Sequence, residues 1–576
     1  MSDEYDILLP NRDPGIQLIP GMKNFPKTLK VPKPKFSHII ATSTPAQTIA
    51  LHRAMIEGKK LDLADFCIQF PSFPIIVDDF TYRGRYPRVG GKIILSGASG
   101  RRIRKRLLDF DKDGALDAKV VSQLTEAITD PDFCIPMAAG EVGSFSELPF
   151  LIEAKNLSNF YHFTTETLVY LALYKEYALK GEIQIFTKNP APPESFVERS
   201  IRSFYPELLS RITVNQAKVE SGKAIIPFNM QHYFSFRRDL GHEVIRTPHT
   251  DVPCVEPVYR NMKAISRGSR DGALDMHRSR AISAASHDSK RKYVYIRRKS
   301  GNVRGIGGEE SLLEMLLGHG FVVVSFEDFT PLEQAHLIND VDILVSSHGA
   351  GFANMLYGKP NALFIELSHL QNARHRFGDF HMHAGASGAR HLHLFADHDY
   401  TDDDVIPDIK STGLLGVKLP DIAIKRLDGF LKSIIYRREF INFKQRIERL
   451  SEAGDFAEVR ATVNRDKRFL YSLADIPIAA ATAHEFIHEY HEAAAFYQIA
   501  LEVSPFRAQV RQRLVQALVR ARDVSGLIGA LSAFRTLAPY WYNRYFGDSE
   551  QVEVLIESAM GQIDFDQAAP PARMPR

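Results

Sequence analysis

From Tyr293 to Leu367 short β-branched runs alternate with helix-length amphipathic stretches, and this alternation constrains the fold more than any other feature. KYVYIRR reads as a strand and EESLLEMLLGHG as a helix stopped by glycine. FVVVSF is a strand, and PLEQAHLIND a helix with Pro331 in its first turn. DILVSS is the next strand, HGAGFANMLY a glycine turn entering a helix, and ALFIEL a further strand. Strands joined in this way by helices build a right-handed, mostly parallel sheet, and such sheets bind ligands beyond the carboxyl ends of their strands.

The remaining segments divide around that unit. Residues 1–36 are rich in Pro and Lys and read as an extended entry segment. Residues 37–260 read as a first α/β domain: a helix over Asn159–Leu179 stopped by Gly181, the strand EIQIFT, a helix ending near Tyr205, and the strands RITVN and KAIIPF. The basic, apolar-poor stretch 261–291 reads as a linker, one solvated helix being the alternative, and 292–445 as the second domain. Residues 446–576 are Ala-rich and helical. There Pro505 and Pro539, 34 residues apart, close the similar phrases FYQIALEVSP and ALSAFRTLAP, the tetratricopeptide period; EAGDFAEVRATV begins a degenerate further unit, and a plain helical bundle is the competing reading.

At 576 residues, two or three domains are expected. With 72 basic and 69 acidic residues no global charge draws the chain to nucleic acid. Cys67, Cys134 and Cys254 form neither a zinc spacing nor a disulfide framework, which suits a reducing compartment. The start MSDEYDILLPNRDPG lacks a signal-peptide pattern, and no run reaches the roughly 18 apolar residues of a membrane span. A cytoplasmic protein is expected, at most peripheral to the inner face of the membrane.

Candidate chemistry gathers at strand ends. In SSHGAGFAN, Ser347 and His348 precede Gly349, Ala350 and Gly351, where glycine lets backbone N–H groups approach an anion at a helix start; Asn354 follows. An ordinary tight turn is the bland alternative. The oxyanion hole of a lipase is another, but no G-x-S-x-G elbow accompanies it, and SGASG at Ser99 has the wrong spacing. Arg297, Arg298 and Lys299 end the first strand of the second domain, with Arg304 beyond, and guanidinium groups there can grip phosphate oxygens. Glu366 ends ALFIEL, where a carboxylate suits ribose hydroxyls. His162 and Glu166 stand four apart on one helix face and can position or deprotonate an acceptor hydroxyl, or form a core pair. Seven histidines between His369 and His398 include HMH at His381 and HLH at His393. Lacking a Cys or Glu-x-x-His partner pattern, they are read as no metal site.

The stretch Tyr293–Leu367 resembles glycosyltransferase family 61, the capsular-polysaccharide-biosynthesis-like glycosyltransferases. The resemblance is carried by Tyr295, Ile296, Arg298 and Arg304, Gly320-Phe321-Val322-Val323, Glu333-Gln334, His348 to Gly351, Asn354 and Glu366. Upstream, Asn159, His162 and Glu166 resemble the family's N-x-x-H-x-x-x-D/E segment, whereas Gly307-Gly308 stand where the family has asparagine. The resemblance implies a GT-B-like pair of Rossmann-type domains, inversion at the anomeric carbon, a UDP-sugar donor without an obligatory metal, and a glycan acceptor of the capsule or lipopolysaccharide kind. It further implies that Arg298, Arg304 and the turn after His348 stabilise the leaving diphosphate, with Glu166 or His162 as base. A partner protein on the C-terminal helices would complete this picture. A transferase-like scaffold that has lost activity is the alternative, and Gly307-Gly308 gives it support.

Overall fold

The computed structural model describes residues 6–20, 22, 29–60, 66–109, 126, 134–139, 145–188, 195–234, 269–283, 292–299, 305–400, 405, 408–547 and 549–563. Arg304, Cys254 and about half of the stretch read as a linker, residues 261–268 and 284–291, lie outside them. The fold is mixed α/β with a helical C-terminal region.

Two large sheets form the α/β part. The first has the strand order 212–216, 183–187, 150–154, 218–228, 73–83, 87–89, 92–93, with 16–18 also on 73–83. Its first three strands run parallel, but 218–228 and 73–83 form a long antiparallel pair. The second sheet is parallel throughout, in the order 322–324, 293–296, 343–347, 363–368, 390–395, 35–40. Strands covered on both faces lose polar alternation and become continuous apolar runs, which is why ILVSS and LFIELS are buried throughout. Period-two geometry still sorts their side chains. Val294, Ile296, Leu344 and Phe364 join the core shared with the first sheet, while Tyr295, Val345 and Ile365 pack with Leu312, Leu316, Leu427 and Leu431 on the opposite side.

Three sequence expectations change. Lys35–Ile40, divided between the entry segment and the first domain, pairs with Arg390–Phe395 and completes the second sheet. The single helix over Asn159–Leu179 is broken into Phe160–Glu166, a 3-10 turn and Leu171–Glu176. The break falls at Thr167, with backbone φ −134°, in a β-branched cluster where Thr165 Oγ1 donates back to the Tyr161 carbonyl at 2.7 Å. Gly181 does not end that helix; a Cβ there would collide with the Leu148 carbonyl, so close strand packing explains the glycine.

Within the stretch read as a linker, Ser269–Asp271 is a strand and Ala273–Ile282 a helix. Ala273, Leu274, His277 and Ala281 are buried, so its few small and apolar residues suffice for one packed face. His277 ties the two units together, with Nδ1 2.7 Å from Tyr205 Oη and Nε2 2.8 Å from Tyr357 Oη. Burial pulls its pKa down to about 3, so it bridges as a neutral ring.

The C-terminal region is a row of helical hairpins: 437–452 with 456–465, 475–486 with 490–503, and 508–520 with 524–537. Gly454, His488 and Arg522, spaced 34 apart, each adopt a left-handed backbone, with φ of 69°, 64° and 57° at successive hairpin turns. Asp455 and Asp523 then cap the second helices through their carboxylates. No helix among the described residues is long and apolar enough to cross a membrane.

Candidate functional site

The strand Ile343–Ser347 ends at the HGAG turn, which leads into a 3-10 helix, Ala350–Tyr357, rather than an α-helix. A pocket of ≈ 690 Å³ opens there, within the range of small-ligand sites. Arg297, Arg298, Ser347, Gly349, Ala350, Gly351 and Asn354, all singled out from the sequence, line it. Phe160 and Arg199 from the first unit line it too, so it lies in the cleft between the sheets.

Arg298 donates through Nη2 to the His348 carbonyl. A Cβ at Gly349 would collide with that same nitrogen, so glycine here admits the guanidinium against the backbone. Arg297 is half exposed and reaches Glu309 Oε2 at 3.1 Å, while Glu309 Oε1 accepts from Tyr295 Oη at 2.7 Å. Ser347 Oγ is buried with no hydrogen-bond partner among the described residues, an arrangement that costs free energy unless a ligand supplies one.

The Glu333-Gln334 pair has a structural explanation that sequence reasoning missed. Glu333 closes a capping box with Thr330 at the start of helix Pro331–Asp340. Gln334 donates to the Phe326 carbonyl at 2.9 Å and accepts from Asn354 Nδ2 at 2.9 Å, bracing one wall of the pocket. The T-P-x-E spacing is the signal from which the capping box is readable.

Gly307-Gly308 are likewise accounted for by packing. Gly308 has φ +80° at the start of helix Glu309–Gly318, and a Cβ on it would meet the Leu419 carbonyl at 2.7 Å. The glycines fit the chain beneath residues 417–419, so they do not by themselves argue for lost activity.

Two expected site residues turn inward. Glu366, read from the sequence as a ribose ligand, is 2% exposed and does not line the pocket. Its Oε1 accepts from His348 Nδ1 and Ser368 Oγ, both at 2.7 Å, and its Oε2 from His391 Nε2 at 2.9 Å. Burial alone would raise the Glu366 carboxyl; the His393 and His348 imidazoles and the bonds from His348 and His391 outweigh it and hold the group well below the usual range. The His348 ring, read as catalytic, is held beneath the turn by Glu366, and its carbonyl is what meets Arg298. The correction has a simple cause: the strand buries both faces, so a carboxylate two residues before its end points into protein.

His162 and Glu166 sit on helix Phe160–Glu166, started by Asn159, whose Oδ1 accepts from the His162 N–H at 3.2 Å. His162 Nδ1 is 3.2 Å from Glu166 Oε2, and Arg101 Nη1 is 2.9 Å from Glu166 Oε1. Burial pushes the Glu166 carboxyl up, but the His162 hydrogen bond and the charges of Lys155 and Arg101 prevail and hold it at about 2. Burial in turn lowers Lys155 to about 8. A carboxylate so acidic is a poor proton acceptor near neutrality, so it suits orienting the imidazole better than acting as base.

Residues 160–365 match the family model Glycosyltransferase 61. That segment contains the helix with His162 and Glu166, the Arg298 strand end and the HGAG turn. The chain is also similar to a beta-1,2-xylosyltransferase of rice, Oryza sativa subsp. japonica, with 26% identity over 286 residues. That similarity spans 47% of this chain and 46% of the rice protein, about half of each. Both matches are to glycosyltransferases.

Proposed function

We propose that the chain is an inverting glycosyltransferase that takes a nucleotide sugar, with UDP as the carrier, and transfers the sugar to a glycan. The observation that carries this reading is the pocket at the strand ends, where Arg298, the glycine turn and the unpartnered Ser347 hydroxyl converge. The two sheets facing one cleft suit a GT-B-like arrangement with the donor on the parallel sheet. The name of the rice protein makes xylose the first sugar to test.

In this reading the acceptor hydroxyl attacks the anomeric carbon in line as the nucleoside diphosphate departs. His162, oriented through Nδ1 by Glu166, takes the hydroxyl proton. Arg298, with the turn N–H groups, stabilises charge growing on the diphosphate. Arg297 is partly neutralised by Glu309 and contributes less. The cytoplasmic location and the capsule or lipopolysaccharide setting rest on the sequence alone. The 34-residue recurrence of left-handed hairpin turns supports the tetratricopeptide-like reading of the C-terminal helices, and with it a protein partner.

The test is thermal unfolding with UDP, GDP, CDP and ADP, followed by transfer assays beginning with UDP-xylose. Ligand at about 100 times its Kd stabilises by about 2.7 kcal/mol, a shift of a few degrees. A shift with UDP that Arg298→Ala abolishes is expected. No shift with any nucleotide in folded protein overturns the reading in favour of a scaffold.

A further inference from the structure

Below the pocket, the histidines that the sequence left without a role collect in one place. His391 and His393 come from strand Arg390–Phe395, two apart and therefore on one face. His381 opens helix His381–Ser387 and reaches the same point from the side. One ring nitrogen from each lies within 4.8 Å of the other two, and all three residues are buried. His381 Nε2 faces His393 Nε2 at 3.1 Å. Glu366 Oε2 lies beside this group, 2.9 Å from His391 Nε2 and 3.6 Å from His393 Nδ1, the ring nitrogen opposite the one that faces His381.

We propose that His381, His391 and His393 form a buried site for one divalent transition-metal ion, zinc first, that fastens helix His381–Ser387 to strand Arg390–Phe395 beneath the HGAG turn.

Four observations carry this assignment. Three imidazoles meeting at one point are a donor set that suits zinc, with the fourth tetrahedral position left to a water. Among the described residues, His391 Nδ1 and His393 Nδ1 are buried with no hydrogen-bond partner, a costly state for polar atoms. Glu366 braces the set from outside: with Oε1 taken by His348 and Ser368, its Oε2 accepts from His391 Nε2 and fixes that ring. The rings are fixed from outside as well, His381 stacking on Phe36 at 4.3 Å and His393 lying parallel to Phe395 at 5.4 Å.

None of the three histidines lines the pocket, so the ion would be a staple and not a Lewis acid for the reaction. The ion is also linked to the site mechanically, because the carboxylate that fixes the His391 ring is the one that holds His348.

The experiment is metal analysis of full-length protein carrying no histidine tag, purified without added metal and then after dialysis against a weak chelator. One equivalent of zinc is expected to survive dialysis, and its X-ray absorption fine structure should show three imidazole nitrogens among the neighbours at about 2.0–2.2 Å. His393→Gln and His381→Asn should lose the ion and melt lower, with the melting of the variants no longer raised by added zinc. Two results overturn the proposal. One is folded wild-type protein that retains no zinc, cobalt, nickel or ferrous iron after exposure to each. The other is bound metal whose absorption spectrum shows a different ligand set. Neither depends on any sugar being transferred, so failure here and failure of the transferase reading remain distinguishable.

Discussion

His162 and His348 each present Nδ1 to a glutamate, at 3.2 Å for Glu166 and 2.7 Å for Glu366. The first pair is about a quarter exposed, with 22% and 24% of its side chains accessible, and has Lys155 and Arg101 as neighbours. The second is closed off at 9% and 2% and is ringed by His391, His393 and Ser368. Spacing pairs only the first, four apart on one helix; His348 and Glu366, read as a catalytic residue and a ribose ligand, meet only in the fold. Solvent access separates them: a pair open to solvent can act on a ligand, although neither His162 nor Glu166 lines the pocket, whereas a buried pair holds the backbone that meets one.

The sharpest way to break this comparison is to disable each pair. His162→Ala should lower kcat by about 10²–10⁴, with the melting temperature nearly unchanged. An unaltered kcat would end its role as base. Glu366→Gln should instead act on stability, costing about 1–3 kcal/mol as buried donors lose their charged acceptor, read as a fall in melting temperature. A variant that melts like the wild type would show that the buried pair is not structural.

Acid sharpens the contrast. The folded-state pKa of Glu166 is depressed from 4.5 to about 2, so its contribution to stability is fully present above 4.5 and is lost as pH falls toward 2. Glu166→Gln should therefore flatten the fall of melting temperature across that window. Equal slopes in both proteins would remove the ion pair from the account. The smallest effect belongs far from either pair. Asp523→Ala removes the 2.9 Å cap to the Gly526 N–H and should destabilise the helical region by about 1 kcal/mol, followed by its circular-dichroism melt, with nucleotide binding untouched.

The parallel sheet was readable because its strands are short, apolar and regularly separated by helices, and Pro331 and the glycines mark the boundaries. The pocket residues at Arg298 and the HGAG turn followed from strand polarity alone. The inward turn of Glu366 was not readable, since the local sequence of a strand does not say which face the neighbouring layer covers. Arg390–Phe395 was missed as a strand of the sheet because His391 and His393 interrupt its apolar run. Their burial depends on His381 and Glu366, which only the tertiary fold brings alongside. The helix at Ala273–Ile282 was hidden for a related reason: it buries small residues and a histidine instead of an aliphatic stripe.

The pairing of Lys35–Ile40 with Arg390–Phe395 sets an order on synthesis. Lys35 leaves the ribosome some 355 residues before its register partner Arg390. At about 5–20 residues per second that interval is roughly 20–70 s. Throughout it the first-made edge of the sheet, with Phe36, Ile39 and Ile40, has no strand to join. A nascent chain of this protein is thus exposed to premature pairing at that strand, and a chaperone that shields it would raise the yield of folded molecules more than one acting on the C-terminal hairpins, whose helices pair with their neighbours in sequence.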